Sequence, residues 1–255
     1  MLTLTLLSSA CYLLNNFQHE WKKFTLLLKM KNTIEHNQKG KWISHRFLVL
    51  LFALILLLVA YPYTPDNQLG AFLGGMMSLL LLVAAIFAVR THKVALIAAG
   101  VIALIVIILS VWAFLSGVRG HPLVEASFFL FYALTTTVIF VEVIKERELT
   151  KNIFIGIVCA YLLIGMAFAT LYDFVETILP GSFQFNAVNA GDTPMRWRNL
   201  LYYSFTTLTT TGYGDITPAN AQAQSLSIIE GIIGVLFIAV FVARLIGMYT
   251  QRKKG

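Results

Sequence analysis

Six apolar blocks, each near the length that crosses a lipid bilayer, constrain this chain more than any other feature. They cover residues 42–61, 69–89, 94–116, 123–143, 153–172 and 225–246. A helix needs ~20 predominantly apolar residues to span the hydrocarbon core. Only 12% of the residues are charged, against roughly 25% in a soluble domain. The blocks therefore predict an all-α membrane protein with six transmembrane helices.

The basic residues lie mostly between the apolar blocks, and their distribution indicates an orientation. A net charge of +7 would suggest a nucleic-acid partner in a soluble chain. If both termini are cytoplasmic, 15 of the 19 Lys and Arg residues fall in cytoplasmic segments, and only Arg119, Arg196 and Arg198 fall outside. Arg244, in the last block, is near enough to the inner surface to extend its side chain to water. Because Lys and Arg accumulate in cytoplasmic loops, we predict cytoplasmic termini, membrane lipid as a partner and no nucleic acid.

Residues 1–41 contain short apolar runs between lysines, and no run is long enough to span a membrane. Positive charge follows the first apolar run instead of preceding it, which argues against a signal peptide. We expect a poorly ordered, basic cytoplasmic segment. There are two alternatives: the segment forms an amphipathic helix at the membrane interface, or the native protein begins at Met30.

No arrangement of residues typical of an enzyme is found in the sequence. It has no Walker loop, dinucleotide fingerprint or paired-cysteine motif. The histidines are scattered without metal-ligand spacing, at positions 19, 36, 45, 92 and 121. We therefore predict that the protein is not an enzyme.

A segment rich in threonine and glycine, residues 209–215, lies between a polar and aromatic run (199–208) and the last apolar block. Gly212 and Gly214 can take backbone angles that are closed to residues with a Cβ atom. Successive carbonyls can then point the same way, while the side chains of Thr211 and Tyr213 point back into the protein. By itself such a sequence could also form a surface turn.

The sequence Thr-Thr-Gly-Tyr-Gly at residues 210–214 resembles the selectivity filter of potassium channels. The run at 201–209 is similar to the pore helix of that family in length and in its paired aromatic residues, and Ile216-Thr217-Pro218 is similar to the exit from the filter. The resemblance is close from 199 to 248 and only topological before that. A pore helix beginning at Thr193 and Pro194 is expected from the capping hydroxyl and the proline ring.

The resemblance implies passive conduction of K⁺ through a homotetramer, because one loop per chain cannot encircle an ion. K⁺ would be coordinated by the backbone carbonyls of Thr210, Thr211, Gly212 and Tyr213 and by the Thr210 hydroxyl. No cofactor is implied beyond the permeant ion. The family also implies a bacterial inner membrane as the location. The predicted orientation places the filter loop on the outer side, as conduction requires.

Other residues are assigned supporting roles by the same resemblance. Tyr202 and Tyr203 are expected to donate hydroxyl hydrogen bonds to Asp215, and Thr206 is expected to support the filter from the pore helix. Gly234 lies 19 residues after Asp215, where the family has its hinge glycine. Close helix packing is the alternative role for Gly234. Glu230, an ionisable residue within a membrane helix, could face the ion path; we favour hydrogen bonds behind the pore helix to Tyr or Thr groups.

The chain is thus expected to divide into a four-helix transmembrane domain (42–148) and a pore domain (149–255). The pore domain would hold an outer helix, a turret, a re-entrant pore helix, the filter loop and an inner helix. The fourth helix has no basic residue before Lys145, so it is not expected to be a conventional voltage sensor. The alternatives are a non-conducting or regulatory subunit of another potassium channel, or a subunit of a potassium uptake system. The uptake fold would need four filter-like loops in one chain, and the sequence has one.

Overall fold

The structure, a computed structural model, describes residues 45–64, 68–90, 93–117, 121–145, 150–186 and 195–252. The expectation for residues 1–41 lies outside these ranges. The helices from Arg46 onward belong to one compact unit. The proposed division into a four-helix domain and a pore domain therefore stays a prediction.

Six helices in the described part of the chain are long and apolar enough to cross a membrane, which confirms the six predicted spans. The first, α1, is described over His45–Tyr63 and closes in a short 3₁₀ turn at Tyr61–Tyr63. The others are α2 (Gln68–Val89), α3 (Lys93–Ser116), α4 (Pro122–Lys145), α5 (Lys151–Ile178) and α7 (Ala221–Arg252). A shorter helix, α6 (Trp197–Leu208), lies between α5 and α7 in the chain.

Two of the spanning helices extend beyond the apolar blocks because polar residues continue or cap them. α7 begins at Ala221, where the side chain of Asn220 accepts a hydrogen bond from the Ala223 amide at 2.8 Å. Such caps satisfy amides that have no partner within the helix. α5 is capped by Thr150 and runs on to Ile178. Hydrophobicity alone located the membrane core of these helices and missed their polar ends.

A two-stranded antiparallel ribbon was not expected from the sequence. It pairs β1 (Phe183–Phe185) with β2 (Ile216–Pro218), and Gln184 is opposite Thr217. The strands are only three residues long and are far apart in the chain, so neither shows a readable alternation. The ribbon matters for the site because it fixes the chain directly after residue 215 to the segment that follows α5.

Helix α5 forms the centre of the packing. Its most apolar window is 67% buried, whereas that of α7 is 22% buried. The backbone of α5 comes very close to α6 at Gly165, where an added Cβ would lie 2.8 Å from the ring of Phe205. A small residue at this point allows close contact between the two helices. α6 is therefore held against α5, while much of α7 remains uncovered within one chain.

Candidate functional site

The site begins with α6, which ends just before the Thr-Gly segment. Arg196 is extended, and its amide donates to the Asn199 side chain at 3.2 Å. The helix therefore begins at Trp197, and the expected start at Thr193 and Pro194 is wrong. The Asn199 side chain and the extended Arg196 together mark the start of the helix, and Thr193 and Pro194 lie outside the described residues. Leu200, Ser204 and Leu208 are fully buried and anchor α6 in the protein.

Beyond α6 the chain is held by amides that turn back onto the last turn of the helix. The amide of Thr211 donates to the carbonyl of Thr206 at 2.8 Å, and the amide of Gly212 donates to the same oxygen at 3.2 Å. The Thr206 hydroxyl donates to the Tyr203 carbonyl. Thr206 thus supports the segment mainly through its backbone.

The backbone of the segment alternates between two conformations. Thr210, Gly212 and Gly214 have φ values of 58°, 52° and 77°, in the left-handed region, and the residues between them do not. A Cβ atom added at Gly212 or Gly214 would meet no atom within 4 Å. The positive backbone angle, and not a lack of space for a side chain, therefore explains why glycine occupies these two positions. The left-handed Thr210 was not expected, because a residue with a Cβ adopts this conformation at a cost of roughly 1–2 kcal/mol.

Four consecutive carbonyl groups in the segment have no hydrogen-bond donor among the residues that the structure describes. They belong to Thr210, Thr211, Gly212 and Tyr213. The carbonyls on either side are occupied: that of Thr209 accepts from the Thr210 hydroxyl at 2.7 Å, and that of Gly214 accepts from the Asn186 side chain at 2.8 Å. All five residues from 210 to 214 are exposed in the single chain. The chain therefore presents a short row of open oxygen ligands.

Tyr202, one of the two tyrosines predicted to support the filter, packs against the segment, and its supporting role stays a prediction. The rings of Tyr202 and Tyr213 are stacked, with centroids 6.4 Å apart and planes 3° apart. Desolvation, and then the nearby Asp215, raise the pKa of Tyr202 to about 12. Its hydroxyl therefore stays neutral at ordinary pH. Asp215 also accepts a hydrogen bond from the Ile216 amide at 3.1 Å.

Tyr203 lies elsewhere. Its hydroxyl is 2.7 Å from the Ser227 hydroxyl of α7, so it joins α6 to α7 and does not reach Asp215 as expected. Adjacent residues on a helix point about 100° apart, and only one of the two tyrosines can face the segment. The sequence showed the two adjacent tyrosines, but it did not show that Tyr202 would face the segment and Tyr203 would face α7.

Asn186 is a site residue that the sequence analysis missed. Its side-chain amide donates to the Gly214 carbonyl, and its backbone amide donates to the Asp215 carbonyl at 2.8 Å. Its side-chain oxygen accepts a hydrogen bond from the Thr217 hydroxyl at 3.2 Å. It is brought there by the β1–β2 ribbon. No motif or spacing pointed to it, since it precedes Gly214 by 28 positions.

Glu230 is completely buried behind α6. Its carboxylate oxygens accept hydrogen bonds from the hydroxyls of Tyr172 on α5 and Ser204 on α6, each at 2.5 Å. Ser204 also lies 2.8 Å from the Gly165 carbonyl. The prediction that Glu230 hydrogen-bonds behind α6 to a tyrosine is confirmed by Tyr172, and its second partner is a serine where a threonine was the other expectation. A single carboxyl group thus ties α5, α6 and α7 together.

Gly234 allows α7 to touch the end of α6. An added Cβ would lie 2.1 Å from the Leu208 carbonyl oxygen, which also accepts the Tyr161 hydroxyl at 3.1 Å. Helix α7 continues through Gly234 without a break. Close packing therefore accounts for this glycine, and its role as a hinge stays a prediction.

Residues 156–251 match the family model described as "Ion channel". The match begins within α5 and takes in α6, the segment 210–214 and nearly all of α7. The chain contains an ion-channel domain. This match supports the predicted resemblance to the potassium channel family, and with the six apolar helices it makes the protein an integral membrane protein. No curated protein matches the chain.

The ion-channel domain covers less than half of the chain, and α1 to α4 lie outside it. All the predicted filter residues (Thr210, Thr211, Gly212, Tyr213 and Gly214), the supporting residues and Gly234 lie inside it. An ion-channel domain supports passive movement of ions.

Proposed function

We propose that four copies of this chain form a potassium-selective channel and that K⁺ passes between their Thr210–Tyr213 carbonyls. The observation that carries this proposal is the row of four carbonyls without a hydrogen-bond donor, bounded at each end by carbonyls that have one. Backbone oxygens can replace the hydration shell of K⁺ when several chains contribute them to one axis. The Thr210 hydroxyl donates its hydrogen to Thr209, which leaves its oxygen lone pairs for the ion.

The position of the segment at the carboxyl end of α6 adds electrostatic support. The carboxyl end of a helix carries a partial negative charge. The last carbonyls of α6 are bound by the turning chain and by Tyr161, so they hold the segment in place. Oxygen ligands for the ion then come from the segment itself. An irregular backbone at membrane depth is tolerated where it lines a water-filled path.

Assembly into a homotetramer is supported by what one chain leaves uncovered. One segment per chain cannot encircle an ion, and α7 exposes large apolar side chains over most of its length. Closed cyclic symmetry would bring four identical segments to one axis. We place both termini in the cytoplasm, which puts the end of α7 after Gly234 at the cytoplasmic side, and we place the protein in a bacterial inner membrane.

Flux into liposomes tests the proposal. Purified protein is reconstituted with a K⁺ gradient and no energy source, and K⁺ and Na⁺ entry are compared. We expect K⁺ flux that far exceeds Na⁺ flux. If the protein alone gives no ion flux, and flux appears when a second channel subunit is added, the protein would be a regulatory subunit instead. Flux only in the presence of ATP or a proton gradient would support an uptake system.

A further inference from the structure

The carboxyl end of α4 is bound by a residue of α7. Arg244 donates from Nη2 to the carbonyls of Val143 and Ile144, at 3.2 Å and 2.5 Å. These are among the last four carbonyls of α4, which have no partner within their own helix. A cation at this end of a helix is also favoured by the helix dipole. The expectation that Arg244 simply extends to water is therefore wrong.

Aromatic contacts continue the same interface along α7. Phe140 of α4 lies against Phe237 and Phe241, with ring centroids 6.3 Å and 5.8 Å apart. Phe237, Phe241 and Arg244 are spaced four and three residues apart, so they share one face of α7. We call these three residues the α4-facing stripe. The whole stripe follows Gly234 in the chain.

The α4 end that receives this stripe is itself fixed to the first two helices. Arg46 of α1 forms an ion pair with Glu142 and donates to the Ala88 carbonyl of α2 at 3.1 Å. The guanidinium also lies 4.5 Å from the ring centre of Phe47, and Arg46 is only 2% exposed. Removing one partner of such a buried pair is strongly destabilising. The end of α4 is therefore a firm support for α7.

We propose that Arg244 is a positioning residue that holds the half of α7 after Gly234 in its straight form, so that helices α1 to α4 regulate the channel gate. This rests on the proposed function, in which a bend at Gly234 opens the cytoplasmic end of the pore. Such a bend would carry the α4-facing stripe away from α4 and break the two Arg244 hydrogen bonds. Those bonds therefore oppose opening.

Single-channel recording of Arg244→Met tests this, because methionine fills similar space without a donor. We expect the ratio of open to closed time to rise by about tenfold or more, because each of the two lost charge-assisted hydrogen bonds corresponds to about that factor. Conductance and K⁺ selectivity should not change. Arg244→Lys, which keeps a charged donor, should behave nearly as the wild type. Arg90→Met is the matched control, because Arg90 stacks on Phe87 near the same end of α4 and α7 by our orientation.

An unchanged or lowered open time in Arg244→Met, or an equal rise in Arg90→Met, would overturn the proposal. Phe140→Leu loosens the same interface from the α4 side and should also raise the open time, which keeps the test valid if Arg244→Met does not assemble. Wild-type conduction in the same recordings tests the proposed function separately.

A distance measurement tests the position of α7 without relying on conduction. Val242 is 50% exposed and follows Gly234, so a spin label there reports the position of this half of α7. With the other cysteines replaced, label-to-label distances between subunits should broaden or lengthen in Arg244→Met and stay as in the wild type in Arg90→Met. Identical distances in all three proteins would contradict the role of Arg244.

Discussion

At the scale of single residues, the open carbonyls depend on backbone angles that the sequence only partly revealed. Gly212 and Gly214 could be identified in advance because glycine is the usual residue for a left-handed backbone. Thr210 could not, because its left-handed φ of 58° is held by contacts of the folded chain. Its amide donates to the Thr207 carbonyl at 2.9 Å, and its hydroxyl donates to Thr209. Both bonds exist only once α6 has formed.

Gly212→Ala is expected to abolish K⁺ conduction while leaving tetramers intact. The added methyl group meets no neighbouring atom within 4 Å, but the backbone angle of 52° becomes unfavourable by roughly 1–2 kcal/mol. The neighbouring carbonyls would then shift from the positions that this backbone angle gives them. Flux assays on purified tetramers measure the effect, and Gly100→Ala in α3, where a Cβ also meets nothing within 4 Å, is the matched control. Unchanged flux in Gly212→Ala would mean that the filter is assigned to the wrong segment.

Tyr172→Phe is expected to destabilise the folded protein by about 1–3 kcal/mol, because it leaves one oxygen of the buried Glu230 without a partner. Urea or thermal unfolding in detergent measures the change. Tyr63→Phe, at a residue that is 84% exposed, should have almost no effect. Equal stability of the two variants would show that the Tyr172–Glu230 bond does not stabilise the packing of α5 and α7.

At the scale of helices and strands, hydrophobicity and spacing found the elements but not their contacts. The place of Gly234 in the last block was predictable, whereas its close approach to the Leu208 carbonyl depends on how α7 packs on α6. In the same way, Asn186 reaches the segment 210–214 only because β1 pairs with β2. The two strands are short, and their pairing is decided by tertiary structure.

Gly234→Ala separates packing from bending. A methyl group 2.1 Å from the Leu208 oxygen would force α7 away from α6, and overpacking of this kind costs about 1–3 kcal/mol. We therefore expect fewer or less stable tetramers, measured by size-exclusion chromatography and thermal unfolding. Gly231 lies one turn earlier, and an added Cβ there meets no atom of its own chain within 4 Å. Gly231→Ala should therefore leave the packing of the single chain unchanged. If Gly234→Ala assembles normally and changes only the open time, the glycine acts as a hinge alone.

At the scale of the whole molecule, six apolar blocks and a filter-like segment were enough to predict an integral membrane protein with an ion-channel domain. The links between its parts were not predictable. Arg46 and Glu142 are 96 positions apart, and Arg244 and Ile144 are 100 positions apart. Pairs so distant in sequence leave no local pattern. An arginine in an apolar block suggests a charged partner but does not name it.

The central claim is that four copies of residues 210–213 face one axis and coordinate K⁺ through backbone oxygens. A cryo-electron microscopy structure of the purified protein in a lipid nanodisc with potassium chloride tests it most directly. We predict fourfold symmetry, with density for ions on the axis between successive rings of the Thr210 to Tyr213 carbonyls. A monomer, or a tetramer in which this segment faces away from the axis, would contradict the account.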